Sequence, residues 1–335
     1  MALVEKPAFA HVLAVDGISR SLARLWSPQH KVIAERLFWV ELLRAQQEAG
    51  LLVPNAVIRG YEKNIFQVDL DSIDRRERIC RHDVKARIEE FNALAGHEYI
   101  HNGLTGRDLD DNIEQAQIRS SLQISRTRSA DICRILDACL HSAGSENWPN
   151  SLDESRIRGM QSEVAQAQLR IDNFLTRYPL RGIKGPAGTS QDMLDLLGGD
   201  RDKLTNMENR LVAFLGFTRV LTSTGQVYPR SLDLEALTLL VQLAKIPARV
   251  ADILLRYVAP RASSEGITFD QHAALEVVDL GILLRGYTNM ISQLAGDQWN
   301  EGDVSCSVVR RVAIPGAFFA FDRSVTMFGM IVGES

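Results

Sequence analysis

The sequence predicts a mainly α-helical protein organised as a bundle of long helices. Apolar residues recur at three- and four-residue spacing through 111–141, 154–177, 230–258, 272–295 and 304–331. Strand-like alternation is scarce throughout the chain. The one strong break between long segments is Ser142 to Asp153, SAGSENWPNSLD, rich in Ser, Gly, Asn and Pro. Helices of this length pack into bundles.

Taken in order, Gly17 to Gly50 reads as helix, with Leu22, Leu25, Trp26, Val32, Leu37, Phe38, Leu42 and Leu43 at helical spacing. Ser27-Pro28 is an N-cap and first-turn pair, and Gly50 stops the helix. Tyr61 to Asp71 is short and mixed. Arg81 to Asn112 is the densest polar stretch. Its clusters Arg81-His82-Asp83, His97-Glu98, His101 and Arg107-Asp108 flank one short amphipathic helix carrying Val84, Ile88, Phe91 and Leu94. A glycine-rich turn spans Arg181 to Ser190, where glycines permit positive φ and close approach of backbone to a ligand. It lacks the Gly-Lys-Ser/Thr ending of a Walker loop. Gln191 to Leu197 is a short helix, Tyr228 to Tyr257 a strongly apolar one ended by Pro260, and 304–331 stays helical despite Pro315.

Composition sets further bounds. With 335 residues, 45% hydrophobic and 24% charged, the chain can bury a large core. A net charge of -4 gives no nucleic-acid surface. No apolar run reaches the ~20 residues of a membrane span, and the N-terminus lacks the long apolar core of a signal peptide. Cys80, Cys133, Cys139 and Cys306 form neither a CxxC pair nor a zinc spacing. The reading is a soluble, cytoplasmic protein with reduced thiols and no cofactor.

Three patterns are candidates for chemistry. His97-Glu98-Tyr99-Ile100-His101 matches HExxH, which on a helix places two imidazoles on one face. Gly96 and Gly103 bracket it and no third ligand follows at a zincin spacing, so no metal is expected. His82, beside Asp83, is either an acid, base or ligand contact, or a surface histidine. Arg310-Arg311, after Ser305-Cys306-Ser307, is either a phosphate clamp or a solvated helix face.

Five stretches together resemble adenylosuccinate lyase, of the fumarase/aspartase superfamily. They are RHDVKARIEEFNALAGHE (81–98), IHNGLTGRDLDDN (100–112), YPLRGIKGPAGTSQDM (178–193), TGQVYPRSLD (224–233) and AGDQWNEGDVSCSVVRR (295–311), in the family's order. The resemblance implies a fumarase/aspartase-type bundle with a small helical N-terminal domain over 1–110 and the long-helix domain over 111–335. It also implies a homotetramer with sites shared between subunits. The family reaction is elimination of fumarate from an N-succinyl nucleotide. A base takes the proton beside a succinyl carboxylate, and a general acid protonates the departing nitrogen. Carried over by motif, the substrate-binding residues are His82, Asp83, Thr105, Thr189, Gln226, Ser307 and Arg311. His82 and Thr105 go to the phosphate or succinyl end, Thr189 and Gln226 to the substrate, and Ser307 with Arg311 to the phosphate. The expected ligand is an N-succinyl nucleotide or similar anion. The expected partners are further copies of this chain or a complete lyase homologue.

The departures from the family pattern are specific. The family's phosphate-contacting Arg-Tyr pair is Asp16-Gly17 here, and the Ser of its Thr-Ser-x-Asp motif is Gly106. The Thr/Ser-His motif of the general acid should lie between Asn112 and Tyr178, where the only histidine is His141. The mobile Gly-Ser-Ser-x-Met-Pro-x-Lys loop carrying the base is replaced by RASSEGITFDQHAALEVVD (261–279), leaving Ser263-Ser264 without the Met-Pro-Lys. The sequence ends at Ser335 soon after the last motif, and the family's C-terminal domain is expected to be missing. The expectation is therefore a lyase-like protein that is catalytically impaired. The alternatives are a pseudoenzyme that binds a nucleotide or pairs with a complete lyase, and an enzyme re-purposed in a specialised biosynthetic pathway.

Overall fold

The computed structural model describes residues 19–143, 148–260, 270–296 and 305–331. Among these the secondary structure is helical, with one isolated parallel bridge between Leu180 and Val220. The first helical segment divides in two, α1 (Arg20–Leu25) and α2 (Pro28–Glu48). The break lies at Trp26-Ser27, where the Ser27 hydroxyl accepts the His30 N–H at 3.2 Å and Pro28 starts the helix. The mixed stretch Tyr61 to Asp71 holds the end of α3 (Asn55–Glu62), a connection and the start of α4 (Leu70–Cys80). These two short, largely polar helices gave no long apolar period to read. The helix expected beyond Arg81 is α5 (Asp83–Ala95), ended by Gly96 at φ 71°.

The long elements are α6 (Gly106–Ser142), α7 (Glu154–Arg177), α10 (Ser231–Tyr257), α11 (Gln271–Ser292) and α12 (Ser305–Ile331). Between α7 and α10 lie α8 (Gln191–Leu196) and α9 (Arg201–Phe214). The α11 helix packs along both α10 and α12, and α6 packs against α7 and α12. Their shared core is aromatic along α12, where Phe318, Phe319, Phe321 and Phe328 are buried. Each such side chain contributes roughly 2–3 kcal/mol of burial. A second core joins α2, α3 and α5 (Phe38, Trp39, Tyr61, Phe91) to Ile183, Met193 and Leu204 from the middle of the chain. This brings the glycine-rich turn beside the N-terminal helices. No helix of the described residues is long and apolar enough to cross a membrane.

Candidate functional site

The site is built from one polar stripe on α6. Thr105 caps this helix: its N–H donates to Asp108 Oδ2 (2.9 Å) and its hydroxyl accepts the Asp108 N–H (3.4 Å). Asp108, Asn112 and Gln115 then follow on one face at helical spacing, and the glycine-rich turn is sewn to them. Asn112 exchanges two hydrogen bonds with Gly182, both 2.9 Å, and Gln115 accepts the Arg181 N–H at 2.7 Å. The Asp108 carboxylate accepts the N–H of Lys184 (2.8 Å) and Gly185 (3.1 Å) and pairs with the fully buried Arg181. Arg181 also donates from Nη2 to the Gln226 carbonyl at 2.6 Å, tying the 224–226 segment to the same point. Gly188 lies against that segment with φ 76°; a Cβ there would stand 1.9 Å from the Thr224 carbonyl oxygen. Only glycine fits.

Thr105 and Gln226 thus meet at the Asp108–Arg181 pair. Thr189 is exposed on the turn beside them. Gln226 is buried, and its Nε2 has no acceptor among the described residues. An unpaired buried donor costs about 1–3 kcal/mol, which a water or a ligand acceptor would recover.

The remaining predicted residues gather elsewhere. His82 caps α5, its Nδ1 accepting the Lys85 N–H at 3.2 Å, and it is exposed. It stands by the start of α6: a side chain at Gly106 would find His82 Cε1 at 4.0 Å and Val84 at 3.6 Å. A serine would therefore fit where the sequence has glycine. Asp83 Oδ2 reaches Arg311 across α5 and α12 at 3.2 Å. Ser307 lies one turn before Arg311 on α12, partly buried.

Asp83 and Arg311 line a cleft of about 370 Å³ between the Trp26 turn, α2, α4, α5, α6 and α12. Its apolar wall is Trp26, Ile118, Ile314 and Pro315, and its charged wall sets Lys31, Arg87, Arg310 and Arg311 among Glu77, Asp83 and Glu114. The volume and the mixed lining suit a small anion with an apolar body.

Behind the charged wall the ions are densely paired. Arg310 turns inward and is buried; it donates to Asp233 at 2.8 Å, to Glu114 and to the Tyr228 hydroxyl. Tyr228 in turn donates to Asp233 at 2.6 Å. Lys31 lies 3.3 Å from Asp110, and Arg87 2.6 Å from Glu35 and 3.2 Å from Asp110. Burial pushes the Glu35 carboxyl up to about 7 despite Arg87 and Lys31. Burial also opposes the charged form of Asp83, yet Arg87, the Val84 N–H, Lys31 and Arg311 hold it below the usual carboxylate range. In Glu114 the same desolvation is outweighed by Arg310 and Lys31, and that carboxyl too stays low.

As a motif Arg310-Arg311 reads as one clamp or one solvated face, and the resemblance then points to Arg311 alone. Only Arg311 faces solvent; its side chain is 57% exposed. The sequence reading missed Lys31, Arg87, Glu114 and the Asp108–Arg181 pair. A weak signal for the last was present: Asp108, Asn112 and Gln115 recur at helical spacing beside the apolar positions Leu109 and Ile113, on a helix that is polar over much of its length. The HExxH residues share no helix, because α5 ends at Ala95 and His101 has φ 70°. Among the described residues no three His, Cys, Asp or Glu side chains gather as a metal site. His141 is exposed near the far end of α6, its Nδ1 on the Asp137 carbonyl at 2.8 Å. At 1.5 Å per residue it is roughly 40 Å along the helix from Glu114. Asp16-Gly17 and Ser263-Ser264 lie outside the described residues.

The chain has the fold of the fumarase/aspartase superfamily. It superimposes on the fumarate lyase from Mesorhizobium sp. BNC1 with a TM-score of 0.76 at 15% identity, covering 98% of this chain and 77% of that one. The 3-carboxy-cis,cis-muconate lactonizing enzyme from Pseudomonas putida gives a TM-score of 0.78 at 13% identity, covering 95% and 75%.

In sequence it is similar to adenylosuccinate lyases. The protein from Schistosoma mansoni is 25% identical over 340 residues, 92% of this chain and 69% of the relative. The one from Saccharomyces cerevisiae is 24% identical over 332 residues, 91% and 68%. No protein-family model matches the sequence.

Proposed function

We propose that this protein is an adenylosuccinate-lyase-like protein that binds an N-succinyl nucleotide or a similar anion but releases fumarate from it poorly or not at all. The observation that carries the binding half is the cleft in which Arg311 stands exposed beside Trp26 and Lys31. The unpaired Gln226 Nε2, on the 224–226 segment packed against the glycine-rich turn, supports a second contact region with Thr105 and Thr189. His82 stands by the start of α6, next to Thr105, and Ser307 one turn before Arg311 on α12. Within one chain the residues fall into two groups, which suits a homo-oligomeric site assembled from more than one copy.

The chemical half rests on the sequence. The family's acid and base motifs are absent from their places, and His141 is far along α6 from the cleft. General acid–base groups are worth about 10²–10⁴-fold each, so binding alone leaves the chemical step slow. A mixed oligomer with a complete lyase is the second reading. Apolar side chains left exposed on α11 and α12, Ile282, Leu275 and Val308 among them, favour it as much as self-association.

The binding half is tested by calorimetric titration with adenylosuccinate at pH 7. Binding is expected, weakened about tenfold or more in Arg311→Gln, as for loss of a charge-assisted contact worth about 1.5–3 kcal/mol. Equal affinity in the two proteins would remove Arg311 from the site.

A further inference from the structure

Four cations line the cleft, Lys31, Arg87, Arg310 and Arg311, and three of them are locked. Arg310 has Asp233, Glu114 and the Tyr228 hydroxyl around it in the interior. Arg87 has Glu35, Asp110 and Asp83, and Lys31 has Asp110 at 3.3 Å with Glu35 at 3.9 Å. Taking a carboxylate from any of these leaves a buried charge short of a partner.

Arg311 differs. Among the described residues its ion-pair partner is Asp83, through the same Oδ2 that lies 3.4 Å from Arg87. The other oxygen, Oδ1, accepts the Val84 N–H at 2.8 Å. Asp83 therefore keeps two anchors on its own helix when Arg311 leaves it. The bond given up is an exposed ion pair, worth at most about 1 kcal/mol.

We propose that Asp83 is an intramolecular competitor for Arg311: an incoming anion takes the guanidinium from it, and Asp83 remains on Arg87. This rests on the anion-binding reading of the cleft given above. Asp83 is then a negative group that the ligand displaces rather than one that it touches, and it sets the affinity of the cleft low. The arrangement also keeps Arg311 aimed at the cleft in the absence of ligand. An unpaired arginine on a helix face would sample many rotamers.

The probe is AMP, titrated by calorimetry at pH 7.5 and fixed ionic strength into wild type, Asp83→Asn, Arg311→Gln and the double variant. Asp83→Asn keeps an oxygen for the Val84 N–H, removes the charge and turns the atom facing Arg311 and Arg87 into an NH2 donor that binds neither. Asp83→Ser, checked for helicity, serves if the asparagine variant does not fold. The expected result is AMP binding about fivefold tighter in Asp83→Asn, the fold-change for about 1 kcal/mol. The same substitution should change nothing in the Arg311→Gln background, since the competition has no object there. Unchanged or weaker binding in Asp83→Asn, with wild type binding AMP and Arg311→Gln binding it less, overturns the competitor role and leaves the cleft intact as a site. Absence of AMP binding in both wild type and Asp83→Asn overturns the cleft reading itself.

Discussion

His101 shows how the most suggestive sequence motif is spent on structure. Its Nδ1 accepts the Trp39 indole N–H at 3.2 Å, and the two rings meet edge to face. Burial dominates its titration and pulls the imidazole from 6.5 down to about 4, against the opposing pull of Asp108 and Asp110. Protonation would also break the Trp39 bond, since the acceptor nitrogen becomes a donor. The sign follows from a folded value below the unfolded one. Between about pH 6.5 and 4 the unfolded chain binds the extra proton, so stability falls as pH falls through that window. We predict that urea unfolding at pH 5 compared with pH 7 shows wild type losing about 2 kcal/mol that His101→Asn does not lose. Asparagine supplies an acceptor and tolerates the positive φ of this position. Parallel pH profiles for the two proteins would show that His101 is not the titrating group.

At the scale of the element, the glycine-rich turn is held in place by α6 and so depends on a few contacts. Gly188→Ala is expected to cost about 1–2 kcal/mol for a left-handed non-glycine residue. A further ~1–3 kcal/mol comes from forcing the Thr224 carbonyl away. Because that carbonyl begins the segment bearing Gln226, the variant should also lose adenylosuccinate affinity. The readouts are a chemical denaturation midpoint and the calorimetric titration; a variant as stable as wild type would mean that the turn does not press on 224–226.

The long helices were legible because their apolar residues recur over many turns: 154–177 is predicted and found with the same ends. The α3, α4 and α9 helices were not foreseen, since short helices with many exposed positions carry too few apolar turns to stand out. The site was half legible. Motif resemblance pointed to Arg311, Asp83 and Gln226. No spacing in the sequence could show that Arg310 is buried, or that Lys31 on α2 meets Asp110 on α6, because these are contacts between distant segments.

For the whole molecule, the α11 and α12 faces leave Leu275, Ile282, Met290, Val308 and Val312 exposed to varying degrees, with Ile282 at 55% and Val308 at 69%. Apolar side chains spread over two adjacent long helices are a surface for another helical bundle. We expect light scattering at micromolar concentration to report an oligomer, and Ile282→Glu with Val308→Glu to shift it toward the monomer. A monomeric wild type would count against a site assembled from several copies. The central claim, binding retained with chemistry lost, is tested most directly by following fumarate absorbance when the purified protein alone is given adenylosuccinate. The account predicts no fumarate release beyond the uncatalysed rate. Turnover of about 10 s⁻¹, the median for enzymes, would contradict it and show that acid and base are supplied by residues outside the family's motifs.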